Sequence, residues 1–113
     1  MELLIIVLNK EQYLEKLISI LVEAGVSGAT ILESEGLGHY LAYEIPIFAG
    51  LRHLMGESKS TNKTILAVLH DKEIFRNFKR LLAEEKIDFS EPGVGIVITI
   101  PVNEIIKSKG ELE

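Results

Sequence analysis

Apolar and polar positions follow two rhythms along this chain. Leu3 to Leu8 (LLIIVL) is an unbroken apolar run bounded by Asn9. A short run of β-forming residues with a polar stop predicts a strand covered on both faces or central in a sheet. Asn9, with Gln12 three residues on, reads as a helix N-cap and its capping-box partner. Tyr13, Leu14, Leu17, Ile18 and Leu21 then recur at helical spacing and predict a buried stripe. Gly25 is placed to end that helix, since a left-handed backbone is open to a residue without a Cβ. Ala29 to Glu35 (ATILESE) alternates and predicts a second strand. The same signals then return. Lys63 to Leu69 (KTILAVL) predicts a strand, and Asp71 caps a helix whose apolar stripe is Ile74, Phe75, Phe78, Leu81 and Leu82. Gly95 to Ile100 (GIVITI) is a last strand, stopped by Pro101.

An offset of 61 residues superposes Val7 on Val68, Tyr13 on Ile74, Leu17 on Phe78 and Leu21 on Leu82. Each half is therefore strand–helix–strand, a crossover of right-handed sense. Two in series predict an α+β fold, the ferredoxin-like β-α-β-β-α-β plait: a four-stranded antiparallel sheet with two helices on one face. Leu4, Ile6, Leu8, Ile31, Leu66, Val68, Ile96 and Ile98 cannot all point at two helices. Part of the sheet is expected to meet other copies of the chain, which makes a homo-oligomer the first structural inference.

The connection between the halves, residues 36 to 62, is long for a compact domain. It is not a polar linker, since it carries Tyr40, Leu41, Tyr43, Ile45, Ile47, Phe48, Leu51, Leu54 and Met55. A long insertion on a rigid scaffold is often functional. A plainer reading, compatible with the first, extends the second strand as a hairpin arm over Tyr40 to Ile47 and makes a short helix of Phe48 to Met55. The stripe Ile47, Phe48, Leu51, Leu54, Met55 is expected to pack against the body or a neighbouring subunit.

Composition narrows the function classes. The chain has 113 residues, 47% of them hydrophobic and 26% charged, which suits one packed domain over 1–113. A net charge of −5 argues against a nucleic-acid partner. The absence of cysteine excludes disulfides, thiolate metal sites and cysteine nucleophiles. The run Leu3 to Leu8 is too short for a secretion signal or a bilayer span, so no membrane insertion and a cytoplasmic location are expected.

Chemistry-bearing residues are sparse. His39, His53 and His70 lack metal-ligand spacing and read as surface or capping residues. Glu33 and Glu35 alternate on one side of the second strand, with no base, nucleophile or metal motif beside them, and read as a solvated edge. Arg52, Lys59 and Lys63 read as solubilising charges. No catalytic and no metal-binding residue is assigned, and the chain is expected not to be an enzyme.

Two stretches carry a family resemblance. Gly25 to Ile31 (GVSGATI), followed by Glu33-Ser34-Glu35-Gly36-Leu37-Gly38, resembles the P-II nitrogen regulatory proteins, which read GVSGMTV, then an acidic residue and G-F-G. Gly93-Val94-Gly95-Ile96, with Val102 to Glu111 (VNEIIKSKGE), is similar to that family's G-D-G-K-I-F and V-I-R-I-R-T-G-E endings. The resemblance spans the chain in order. It implies a homotrimer with nucleotide clefts between subunits. Thr30 and Gly36-Leu37-Gly38 would form one wall, Gly93 and Gly95 the turn beside the phosphates, and Lys107 and Lys109 would replace two arginines. Glycines let backbone N–H groups approach an anion, and lysines supply charge without the bidentate fork of arginine. The implied effector is ATP, ADP, AMP or a cyclic dinucleotide. The segment 36–62 would correspond to the family's target-binding loop, with a membrane transporter or a metabolic enzyme as the target protein. Val94 stands where the family has Asp, and Ile96 where it has a basic phosphate contact. Phe48 falls near the position of the modified tyrosine, so uridylylation is not expected.

The resemblance thus implies a divergent P-II-like signalling protein. The alternatives are an ACT-like or CutA-like ligand-binding module, and a P-II-like trimer that has lost nucleotide binding. An enzyme using the uncovered sheet face would need polar groups there, and the strands offer mainly Leu, Ile and Val with Thr30, Thr64 and Thr99.

Overall fold

The structure, a computed structural model, describes residues 1–50 and 62–109. The elements run β1 (Glu2–Leu8), a 3₁₀ turn (Glu11–Tyr13), α1 (Leu14–Ala24), β2 (Thr30–Ser34) and α2 (Leu37–Glu44). A second 3₁₀ turn (Pro46–Phe48), β3 (Asn62–Leu69), α3 (Lys72–Glu84) and β4 (Gly95–Pro101) complete the order. The four strands form one antiparallel sheet in the order β2-β3-β1-β4. The fold is therefore α+β.

Strand alternation divides the apolar side chains between two faces. Leu4, Ile6 and Leu8 of β1 and Ile65, Ala67 and Leu69 of β3 are buried with Leu17, Ile20, Leu21 and Ala24 of α1 and Phe78 and Leu81 of α3. Register places the other set together: Leu3 opposite Val68 and Ile100, Ile5 opposite Leu66 and Ile98, Val7 opposite Thr64 and Ile96. On this side Ile96, Ile98 and Ile100 are 51%, 39% and 42% exposed. The expectation that α1 and α3 could not cover every apolar strand residue is met at Leu66, Val68, Ile96 and Ile98. Leu4, Ile6 and Leu8 lie under the helices, and Ile31 pairs with buried Ile65 on that same face.

Both helix ends carry a Schellman motif. Val26 N–H donates to Leu21 O and Gly25 N–H to Val22 O, with Gly25 at φ +108° as predicted. In α3, Ile87 N–H donates to Leu82 O and Lys86 N–H to Ala83 O, with Lys86 at φ +60°. The predicted Asp71 cap is present: its carboxylate accepts from Glu73 N–H at 2.8 Å. The predicted Asn9 cap is not. The chain turns through Lys10 into 3₁₀ geometry with no side-chain cap, and the Asn9 side chain is held by Asn62 instead, so Gln12 has no capping box to complete.

The largest correction lies between β2 and β3. Tyr40 to Ile47 does not extend β2 as a hairpin arm; Leu37–Glu44 is helical and Pro46–Phe48 is a 3₁₀ turn. Residues four apart explain the helix. The Glu35 carboxylate meets His39 Nδ1 at 2.5 Å, and the His39 ring stacks on Tyr43 with centroids 4.6 Å apart. The expected helix Phe48 to Met55 runs beyond the described residues, as do His53, Arg52 and Lys59.

Candidate functional site

The polar side chains gather where β1 and β2 end and β3 begins. Ser34 Oγ donates to Asn62 Oδ1 at 2.5 Å and lies 2.7 Å from Thr64 Oγ1. A hydroxyl has one proton, so Thr64 is the donor in that second contact. Asn62 Nδ2 donates to Asn9 Oδ1 at 3.1 Å, and Asn9 N–H donates to Val94 O at 2.9 Å. These bonds form a row across the end of the sheet from β2 to the start of β4. Strand register places them side by side, since Leu8 faces Lys63 and Ser34 faces Asn62.

Behind the row, Lys63 donates to the Glu33 carboxylate and lies 3.5 Å from Glu11 Oε1. The hydrogen bond to Glu33 leads in holding the Lys63 ammonium above the usual lysine range, with the charge of Glu11 adding to it. Glu33 and Glu35 are both exposed, as expected of a solvated edge, but their partners differ. Glu33 pairs with Lys63, while Glu35 lies past the strand and pairs with His39. His70 does not cap α3; its Nε2 lies 3.3 Å from Lys107 Nζ.

The sequence-derived site residues fall into separate groups. Gly36 caps α2, with Leu37 and Gly38 in its first turn. Gly93 (φ +81°) and Gly95 (φ +146°) lie at the same end of the sheet but on the opposite edge. Three strand spacings, about 14 Å, separate those edges. A Cβ on Gly95 would lie 2.0 Å from Val7 O, so close approach to β1 accounts for this glycine. Thr30 opens β2 on the face opposite α1 and α3, paired with Leu66. Lys107 follows β4 beside His70, at the other end of the sheet, and Lys109 is the last residue described. One chain brings Gly36, Leu37 and Gly38 near the Ser34–Asn62–Asn9 row but does not bring the lysines to the glycines.

Ser34, Asn62 and Thr64 are not assigned to a site from the sequence, and Asn9 is read there only as a helix cap. Each is an ordinary polar residue at or near a strand end, and only the antiparallel register aligns them. Among the described residues, no buried side-chain polar atom lacks a partner and no three acidic or histidine side chains converge on a metal position. The chemistry that this end of the sheet supports is recognition through backbone and neutral polar groups. No protein-family model and no curated protein sequence matches the chain.

Proposed function

We propose that the chain is a P-II-like signal-transduction protein, a non-enzymatic cytoplasmic homotrimer built on the ferredoxin-like plait. Its effector is a small anion, an adenine nucleotide, held in clefts between subunits. The segment 36–62 then regulates a transporter or an enzyme according to whether the effector is bound. The switching energy is the effector's differential affinity for two states of that segment.

The observation that carries this reading is the sheet face opposite α1 and α3. Leu3, Ile5, Val7, Leu32, Leu66, Val68, Ile96, Ile98 and Ile100 form one aliphatic surface, of a kind that a monomer seldom leaves in water. The strand order agrees with the plait. Separation of the glycines and lysines within one chain agrees with a cleft that two subunits complete. No helix among the described residues is long and apolar enough to cross a membrane.

Two measurements test the proposal. The solution mass should be three times 12.6 kDa, and the pair Ile5→Lys with Ile98→Glu should reduce it to one copy. ATP, ADP, AMP and a cyclic dinucleotide are then titrated by calorimetry. Binding that weakens when Lys107 and Lys109 become Ala supports the nucleotide site. A wild-type mass of a single copy overturns the reading.

A second reading keeps the trimer without the nucleotide site. Val94, at the position of the family's acidic residue, is buried, and Gly95 is required by packing against Val7. A trimer that binds none of the four nucleotides selects this reading.

A further inference from the structure

The outer flank of α3 holds a cleft of about 660 Å³, apart from the sheet end and the exposed apolar face described above. Its apolar floor is Phe75, Phe78, Leu82, Phe89 and Val97. Phe75, Leu82, Phe89 and Val97 are only half-buried, while Phe78 sits beneath them at 1% exposure. The Phe75 and Phe78 rings are inclined at 27°, with centroids 6.0 Å apart. A volume of this size on an aromatic floor suits a small ligand with a flat apolar body.

Charge at the rim narrows the class. Lys79 Nζ stands 5.2 Å from the Phe75 ring centroid, and neither Lys79 nor Lys86 has an ion-pair partner among the described residues. Arg80 is already paired with Glu84, and Glu85 with Lys16. The Asp88 carboxylate is turned back on its own loop, accepting from Ser90 N–H at 2.8 Å and Ser90 Oγ at 2.6 Å. The charged side chains lining the cleft are thus the Lys79 and Lys86 ammonium groups and the Asp88 and Glu91 carboxylates.

Backbone conformation singles out Lys86. It holds the left-handed position that ends α3, and its counterpart 61 residues earlier is Gly25, which ends α1 in the same motif. Glycine would take this conformation with no Cβ penalty. A lysine kept there puts an ammonium at the lip of the cleft against local backbone preference.

We infer that the α3 cleft is a binding site for a planar apolar monoanion, with an aromatic monocarboxylate as its chemical class. The ring lies on Phe75, Phe78 and Phe89, and the carboxylate meets Lys79 and Lys86. Asp88 and Glu91 repel a second negative charge, which sets the monoanion apart from a phosphate monoester. The site lies within one chain, so it does not depend on the trimer or on the nucleotide reading.

An amide NMR titration with 2-naphthoate tests it on the full chain, beside 2-naphthamide and 2-naphthyl phosphate. Saturable shifts should appear over Phe75–Leu82 and Lys86–Glu91, and both companions should bind more weakly. Lys86→Gly should weaken 2-naphthoate about threefold, and Lys79→Gln with Lys86→Gly about tenfold, as expected for exposed charges on an aromatic site. Because glycine suits the left-handed position, Lys86→Gly should not lower the melting temperature, which separates lost binding from lost folding. Absence of saturable shifts in the cleft at millimolar ligand, equal binding of the amide, or unchanged affinity in the double variant overturns the proposal.

Discussion

The two strand–helix–strand halves are built alike and finished differently. Leu4, Ile6 and Leu8 of the first half correspond, 61 residues on, to Ile65, Ala67 and Leu69 of the second, and all six are buried. Leu17 and Phe78 correspond and are both buried. The halves part where the backbone leaves the repeat. The link from Gly25 to β2 is Val26–Ala29, while the link from Lys86 to β4 is the longer Ile87–Val94. The first link borders a small apolar cleft of about 290 Å³, and the second borders the larger one with its lysines. Repetition fixes the scaffold, and the departures from it set the size and charge of the two clefts.

The sharpest way to break this comparison is at Gly95, where the longer link delivers β4 to the sheet. A Cβ there meets Val7 O at 2.0 Å on a backbone held at φ +146°. Gly95→Ala must move one of the two strands, and a loss of about 3 kcal/mol is expected. Urea unfolding measures it. A loss below about 1 kcal/mol would mean that β4 can shift away from β1 at little cost.

Exchanging the helix ends gives a smaller and opposite pair of effects. Gly25→Ala adds a Cβ at φ +108°, in ordinary contact with Ile74 Cγ1 at 3.6 Å, and the left-handed backbone alone should destabilise it by about 1 kcal/mol. Lys86→Gly relieves the corresponding strain at φ +60°. Added freedom in the unfolded chain offsets part of that gain, so about 0.5 kcal/mol of stabilisation is expected. Equal signs for the two variants, read from melting curves, would end the equivalence of these positions.

What the sequence made legible follows the range of the forces involved. Both helices of the repeat, the Asp71 cap and the Gly25 terminus obey rules acting within a turn or two, and they could be read directly. The apolar face opposite α1 and α3 was legible as a count of apolar residues, because period-two alternation divides them whatever the strand order. The Asn9 cap was misread because its side chain has a stronger claim 53 residues away, at Asn62. The Ser34–Asn62–Asn9 row shares that cause, since register is a long-range property. Helix α2 was misread as strand because Tyr40, Tyr43 and Ile45 have β propensity, while the Glu35–His39–Tyr43 ladder that favours the helix is visible only at i, i+4 spacing.

The smallest effect expected separates the links by pH. Asp88 accepts two hydrogen bonds from Ser90, its hydroxyl foremost, and they hold its carboxyl below the ordinary aspartate range. The link Val26–Ala29 has no acidic residue to respond in this way. A depressed folded-state value means that the Asp88 contribution is fully present above the unfolded-state carboxyl range near pH 4, and fades as pH falls through the folded value. In acid the Ile87–Val94 link should therefore lose protection before Val26–Ala29 does. Ser90→Ala removes the hydroxyl donor and should move that change toward higher pH, because the carboxyl then protonates closer to its unfolded value. Amide hydrogen exchange from pH 5 down to pH 3 resolves the two links separately. Parallel loss in both, or an unmoved profile in Ser90→Ala, would show that the Asx turn at Asp88 contributes nothing to the order of the second link.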